Sequence, residues 1–263
     1  MAIPRAPSSV AERWLRAILS LRGMELRVAY LRVELERRPL SVAAEALNDL
    51  AGRAEQADPL AREALAAAAP LLADRELEPL TLALRGEASA RALLPLERLL
   101  RFTRGAPAAE PAEVRKVALT SRGGRVLTLG ERRALARRPS RSAFDGLLRD
   151  PHPMVIRNLL QNPRLTEDDV VRVATRRPAY PDVIAEIARH PVWSTRPRVR
   201  LSIALNPGSP PEVTIPFLRL LTRGELAEVA ESSHLPALVR AAARELLARR
   251  PPVPEDGGKG PEQ

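Results

Sequence analysis

Cysteine is absent from this chain of 263 residues, and no long apolar run occurs in it. The absence of cysteine excludes disulfides, thiolate metal sites and a cysteine nucleophile, and it favours a reducing compartment, with the cytoplasm as the default. Arg13 and Arg16 interrupt the only apolar stretch near the N-terminus, so no signal-peptide core is expected there. No segment approaches the ~20 apolar residues that span a bilayer. The sequence therefore predicts a cytoplasmic protein with no membrane segment.

Aromatic residues and lysine are also scarce. Aromatics make up 3% of the chain, and lysine occurs only at 116 and 259, so arginine supplies all but two of the 42 basic residues behind a formal charge of +10. The basic excess lies in the C-terminal half, where residues 115–141 contain a single acid, Glu131. The basic residues of that segment are Arg115, Lys116, Arg122, Arg125, Arg132, Arg133, Arg137, Arg138 and Arg141. With few aromatics for base stacking, a duplex backbone is the nucleic-acid target that such a segment favours.

Proline is abundant, with 26 residues against 13 glycines, and its spacing indicates helix ends rather than disorder. Five prolines are predicted to follow helices: Pro139, Pro163, Pro178, Pro191 and Pro207. Counted back from each proline, positions −8, −7, −4 and −3 are apolar in sixteen of twenty cases. The exceptions are Glu131, Arg132, Thr175 and Arg200. This spacing predicts one buried stripe on each short helix.

The joints between these helices repeat a pattern. After Asn162-Pro163, Thr166 is predicted to cap the next helix, with Asp169 completing a capping box. After Asn206-Pro207, Ser209 is predicted to cap the next helix, with Pro210 at its first position and Glu212 in the box. We expect structural roles for six joint residues: Asn162, Pro163, Thr166, Asn206, Pro207 and Ser209.

Short helices with one apolar stripe must stack on neighbours, so the predicted fold is an all-α, HEAT-like α-solenoid preceded by an N-terminal helical region. The stretches DPHPMVIRNLLQNPRLTEDDV and VRLSIALNPGSPPEV resemble the leucine-rich repeat variant motif, in which an N-P-x-T/S-P step joins two helices. The resemblance covers about 131–223 and continues weakly to Arg250. From LTLGERRALARRP onward the chain is similar to bacterial repeat proteins of unknown role. The iron–sulfur cluster of the best-known variant-repeat protein needs cysteine and cannot be carried over.

Four regions are predicted along the chain: an N-terminal helical region (1–104), a linker and basic segment (105–130), the solenoid (131–250) and a disordered tail (251–263). A capping box from Ser9 to Glu12 opens one long helix, or two that meet near Gly23. Further helices are predicted over 41–56, 59–73 and 88–104.

No catalytic, metal or cofactor site is predicted. His152, His190 and His234 lie far apart beside proline turns, where histidine caps helix ends more often than it binds metal. The acidic run Glu167 to Asp169 is placed for capping. Tyr180 and Trp193 are expected to pack between helices.

Two functions remain open. The first is a non-enzymatic scaffold or adaptor that binds another protein through the solenoid surface. The second is binding to a duplex nucleic-acid backbone, with or without base-repair chemistry, which requires the helix-end arginines to converge on one face. The candidate partner or phosphate surface is Arg132, Arg133, Arg137, Arg138, Arg176, Arg177 and Arg189. A simpler interpretation of the same arginines is that they stabilise helix C-termini, where cations interact with the helix dipole and the open carbonyls.

Overall fold

A computed structural model describes residues 9–101, 119, 124–138 and 140–251. Residues 105–118 and 120–123 of the predicted linker and basic segment (105–130), Pro139, and residues 252–263 of the predicted tail lie outside the described residues. Within that part of the chain the fold is all-helical, as predicted, and it contains no β-strand. The helices are α1 (Val10–Ser20), α2 (Met24–Arg37), α3 (Leu40–Glu55), α4 (Pro59–Leu72), α5 (Glu78–Ala90), α6 (Leu94–Leu99), α7 (Leu129–Arg137), α8 (Phe144–Leu147), α9 (Pro153–Leu160), α10 (Glu167–Ala174), α11 (Pro181–Arg189), α12 (Pro197–Ala204), α13 (Pro211–Leu218), α14 (Arg223–Glu231) and α15 (Ala237–Arg249). Single 3-10 turns lie at Arg75–Leu77 and Trp193–Thr195.

The first helical region begins as two helices rather than one. Ser9 caps α1 by accepting a hydrogen bond from the Glu12 amide at 3.2 Å. Gly23 separates α1 from α2 with φ of 91°, a conformation that costs a non-glycine residue energy. The indole of Trp14, fully buried, donates to the Glu34 carboxylate at 2.7 Å and joins the two helices.

The predicted helices 41–56 and 59–73 correspond closely to α3 and α4. The predicted helix 88–104 is wrong. Ala92 adopts φ of 53°, which ends α5 and starts the turn into the short helix α6. The helix α5 was not predicted; Pro79 lies in its first turn, where proline is tolerated.

Helix α4 lies at the centre of the molecule. Its sequence PLAREALAAAAPLL is alanine-rich, and every residue from Ala64 to Leu71 is buried. On one side it packs on α1, α2 and α3, and on the other on α11, α13 and the Trp193–Thr195 turn. Alanine allows helices to approach closely on all sides. The N-terminal helices therefore pack directly on the C-terminal ones, and one hydrophobic cluster runs through both.

The five short helices before the predicted proline stops end two to four residues upstream of each proline. Their apolar stripe is largely buried; in α9 all four predicted positions are 5% exposed or less. Contacts join helices that are two apart along the chain: α7 with α9, α9 with α11, and α10 with α12. We call α7, α9 and α11 the first row, and α8, α10 and α12 the second row.

Candidate functional site

Asn162 follows α9 and hydrogen-bonds the end of α7. Its side-chain amide donates to the carbonyls of Ala136 and Arg138, both at 2.7 Å, and its carbonyl oxygen accepts from the Arg164 amide at 3.0 Å. The residue is only 4% exposed. One asparagine thus satisfies two carbonyls left open at a helix end and also fixes the turn that follows it.

Asn206 repeats this arrangement in the second row. It donates to the carbonyls of Ala174 and Arg176 at the end of α10, at 2.7 and 3.1 Å, and accepts from the Gly208 amide at 3.0 Å. A Cβ on Gly208 would lie 2.6 Å from the Cβ of Ala179, so this joint packs tightly against the segment after α10. Asn162 therefore binds α9 to α7, and Asn206 binds α12 to α10.

At the joint after α11 there is no asparagine, and two residues share its functions: one accepts from the amides of the turn, and the other donates to a carbonyl of another helix. His190 accepts from the amides of Val192 and Trp193 through Nδ1, at 3.3 and 3.4 Å. The indole of Trp193 donates to the Leu160 carbonyl at the end of α9, at 2.8 Å. Burial lowers the pKa of His190, which keeps the ring neutral and able to accept. His152 likewise accepts from the Met154 amide at the start of α9.

The two predicted N-caps differ. Thr166 caps α10 in a reciprocal box with Asp169, whose carboxylate accepts from the Thr166 amide at 3.0 Å. The assignment of Ser209 as the cap of α13 is wrong, because that helix begins at Pro211 with Pro210 before it. The buried hydroxyl of Ser209 instead donates to the Ile203 carbonyl at 2.7 Å and closes the end of α12.

The seven predicted surface arginines are divided between the two rows. In the first row, Arg132 pairs with the buried Asp150, Arg137 donates to the Asn158 side chain at 3.2 Å, and Arg189 pairs with Glu186 at 3.2 Å. Arg133 and Arg138 have no side-chain partner among the described residues. In the second row, Arg176 donates to the Arg149 carbonyl and stacks 5.0 Å from the Tyr180 ring centre, while Arg177 lies 3.5 Å from the Leu205 carbonyl. Arg176 and Arg177 therefore bind carbonyls at the ends of neighbouring helices, whereas Arg189 pairs within its own helix.

A buried carboxylate that the sequence reading did not single out joins the two halves. Glu55, at the end of α3, accepts from Arg98 at 3.0 and 2.5 Å and from Arg219 at 2.9 Å. Arg249 lies 3.8 Å from the same carboxylate. Burial lowers the pKa of Arg219 to about 10, while Glu55 opposes that shift, so the guanidinium stays charged at neutral pH. We call these four residues the Glu55 network.

A second group of arginines surrounds the end of α13. Arg62, from α4, donates to the carbonyls of Arg219, Leu220 and Leu221, at 3.2, 2.7 and 3.0 Å. Arg250, which follows α15 and is 6% exposed, shares two of these acceptors, Leu221 at 2.5 Å and Arg219 at 3.0 Å. Because they share carbonyl oxygens, the two guanidinium groups lie side by side.

Two more arginines complete this group. Arg223, the first residue of α14, donates to the carbonyls of Leu247 and Arg250, both at 3.3 Å. Arg200, on α12, has no hydrogen-bond or ion-pair partner among the described residues, and its Nε is buried. Glu225 is the carboxylate whose charge acts on Arg62, Arg200 and Arg250. We call Arg62, Arg200, Arg223 and Arg250, with Glu225, the arginine cluster.

The electrostatics of the arginine cluster reflect uncompensated charge. Burial lowers the pKa of Arg62 and of Arg200, and Arg62 lowers that of Arg200 further. Burial lowers the pKa of Arg250 to about 10, with repulsion from Arg62 and Arg223 adding to the shift. Glu225 acts in the opposite direction on Arg62, Arg200 and Arg250. The guanidinium group of arginine is a permanent cation in proteins, so the cluster keeps its positive charge at neutral pH.

The sequence contained one signal for this cluster. Arg200 occupies position −7 of the predicted stripe, where other repeats have Ile156 and Ile184. Arg132 occupies the same position before Pro139, and there the buried Asp150 neutralises it. Read together, the two positions mark Arg200 as a partly buried charge that has no hydrogen-bonded carboxylate among the described residues. The contributions of Arg62 and Arg250 depend on packing between distant segments and have no local signal.

The described residues contain no group of three or more histidine, aspartate or glutamate side chains placed to hold a metal ion. None of the helices in this part of the chain is both long and apolar enough to cross a membrane. In comparisons with known proteins, no family model, no curated protein and no solved structure matches the chain.

Proposed function

We propose that the chain is a non-enzymatic scaffold or adaptor, in which the helices from α7 onward form an α-solenoid of the leucine-rich repeat variant or HEAT-like type that binds another protein. Contacts between helices two apart, and the recurrent asparagine joints at Asn162 and Asn206, support this architecture. Joints that fix each helix to the next produce a rigid extended surface, which is what solenoids present to partners.

The observation that carries the proposal is a ladder of alternating charges on the second row. Asp145 of α8 pairs with Arg172 of α10 at 3.5 Å, and Asp168 of α10 pairs with Arg198 of α12 at 2.7 Å. These side chains are 55 to 88% exposed. A duplex backbone selects for a surface of one sign, whereas alternating charges in fixed positions favour a protein surface of complementary pattern.

Affinity capture with matched charge variants tests this function. Arg198→Glu reverses one rung of the ladder, and Arg22→Glu makes the same change in the exposed turn between α1 and α2. We expect the wild type and Arg22→Glu to retain the same partner protein and Arg198→Glu to lose it, with helical content unchanged by circular dichroism. Turnover of a small substrate by a protein that retains no partner would contradict the proposal.

Duplex binding remains the second candidate. Arg133 lies in α7 and Arg138 directly follows it, and neither side chain has a partner among the described residues. If they contact phosphates, affinity falls with salt by a log–log slope of about −0.9 per contact. Under the scaffold proposal, a gel shift at physiological salt detects no binding tighter than the ~10⁻⁴ M of nonspecific association. A tighter, salt-sensitive shift that Arg133→Glu with Arg138→Glu abolishes would favour the nucleic-acid function instead.

A further inference from the structure

The arginine cluster binds main-chain carbonyls through some of its guanidinium nitrogens, but most of its charge is uncompensated. Arg62 and Arg250 donate to carbonyls, which are neutral dipoles, although the C-terminal end of a helix carries a partial negative charge that favours cations. Four arginines and one glutamate leave three positive charges at the junction of α4, α12, α13, α14 and α15. Charges brought together away from water are costly unless an opposite charge accompanies them.

Arg200 shows where that opposite charge is missing. At the same position of another repeat, Arg132 reaches the carboxylate of Asp150, which is 0% exposed on its side chain. Arg200 has no hydrogen-bonded carboxylate among the described residues, and the neighbouring charges that act on it are those of Glu225 and Arg62. The remaining donors of the cluster are the guanidinium nitrogens of Arg200, Nη1 of Arg62, Nε of Arg250, and Nε and Nη2 of Arg223, none of which has a partner among the described residues. The Nε atoms of Arg200 and Arg250 are buried.

We propose that the arginine cluster is a binding site for a small, multiply charged phosphate anion, of which a diphosphate group is the best match. A planar guanidinium presents paired donors that fit phosphate oxygens, and several of them around one anion give short, charge-assisted hydrogen bonds. A diphosphate carries about three negative charges near neutral pH, the number that the cluster leaves uncompensated. The site would be filled by free diphosphate or by the diphosphate of a nucleotide, and it is separate from the charge ladder on the second row.

The test uses the full chain with inorganic pyrophosphate as the probe, at constant ionic strength. We expect saturable heat of binding by calorimetry and a rise in the thermal unfolding midpoint that follows the same saturation curve. A parallel titration with ADP distinguishes a site for free diphosphate from a site for the diphosphate of a nucleotide. Equal affinities assign recognition to the diphosphate alone, whereas tighter ADP binding assigns a contribution to the nucleoside, and both support the site.

Matched variants make the result specific. Arg200→Gln removes the unpaired guanidinium, and Arg22→Gln removes the same charge from an exposed position outside the cluster. Pyrophosphate affinity should fall at least tenfold in Arg200→Gln and stay within twofold of wild type in Arg22→Gln. Arg200→Lys, which keeps the charge without the fork of donors, should fall between them.

Stability without anion provides the second readout. Burial and repulsion from Arg62 disfavour the charge of Arg200, and the attraction from Glu225 does not outweigh them. Arg200→Gln should therefore unfold at the same denaturant concentration as wild type or a higher one in an anion-free buffer. That outcome also shows that the variant is folded. Equal affinity losses in Arg200→Gln and Arg22→Gln, or an equal rise in midpoint with sulfate, would overturn the proposal, since both indicate a general salt effect. Preferential binding of a short DNA duplex over pyrophosphate, lost in Arg200→Gln, would replace it with a nucleic-acid site.

Discussion

The two halves of the molecule deal with arginine differently. Residues 1–112 carry 16 arginines against 15 acids, and there the arginines mostly pair with carboxylates, as in Arg53 with Asp58 and Arg38 with Glu34. Residues 113–263 carry 26 basic residues against 17 acids, and there many arginines donate to main-chain carbonyls, as Arg223 and Arg176 do. Each helix leaves about four carbonyls open at its end. Short helices therefore supply acceptors that an excess of arginine can occupy without a matching number of acids.

The joints differ in the same way. Local side-chain caps occur in both halves, such as Asp58, which accepts from the amides of Leu60 and Ala61, and Thr166 at the start of α10. In α7 to α12 two joint residues also bind a different helix, since Asn162 and Asn206 reach carbonyls 24 to 32 residues earlier in the chain. A local cap stabilises one helix, whereas a joint of this kind sets the distance between two. The comparison predicts that joint substitutions weaken helix stacking as well as helix ends.

The largest effect is expected where the halves meet. Glu55→Ala leaves Arg219 buried and unpaired, and breaking a buried pair in this way costs about 3 to 5 kcal/mol. Urea denaturation measures the loss of unfolding free energy. The control is Glu45→Ala, which breaks the exposed ion pair of Glu45 with Arg91 and should change the unfolding free energy far less. Similar small losses at both sites would mean that the Glu55 network does not hold the halves together.

The next effect compares the cores of the two halves. Leu159 in α9 and Leu50 in α3 are each 1% exposed, so replacing either by alanine should cost about 2 to 5 kcal/mol. Because one hydrophobic cluster contains both, each variant should shift a single cooperative transition. Leu26→Ala, at a 57% exposed position, is the control and should change stability by about 0.5 kcal/mol or less. Two separate transitions in the wild type would show that the halves unfold independently.

Sequence reasoning succeeded where the signal is local and repeated. Proline stops and apolar spacing located α9 to α12 and their buried stripes, because a helix end and a helix face depend on neighbouring residues. It failed at Ser209, whose hydroxyl donates to the Ile203 carbonyl instead of capping α13. That carbonyl is an available acceptor because α12 ends at Ala204, and the end of α12 is known only from the structure. It also missed the Glu55 network and most of the arginine cluster. Those sites depend on α4 packing between α1 to α3 and α11 to α13, and no periodicity in one segment reports the packing of another.

A smaller loss of unfolding free energy is expected when a joint between two helices is broken, and a still smaller loss when a hydrogen bond within one helix end is removed. Asn206→Ala leaves the carbonyls of Ala174 and Arg176 without their donor, and an unsatisfied buried polar group costs about 1 to 3 kcal/mol. Ser209→Ala removes one hydrogen bond to Ile203 and should cost about 1 kcal/mol. Both are measured as losses of unfolding free energy in urea. A greater loss for Ser209→Ala than for Asn206→Ala would mean that the asparagine does not join α10 to α12.

The smallest effect is a pH dependence at Asp169. Burial raises the pKa of this carboxyl, but hydrogen bonds from Arg141 and Thr166 outweigh it and leave the pKa below its ordinary value of 3.8. A carboxyl whose pKa is lower in the folded state stabilises the protein above the unfolded pKa, and that contribution is lost as the pH falls through the folded pKa. Asp169→Asn should therefore cost about 1 kcal/mol near pH 7, the usual worth of a cap, and progressively less below about pH 4. Urea titrations of wild type and variant from pH 7 to acid measure this difference, with Asp168→Asn, 72% exposed, as the control. A difference that stays constant across the range would show that the charge of Asp169 contributes nothing and that only its hydrogen-bonding shape matters at the start of α10.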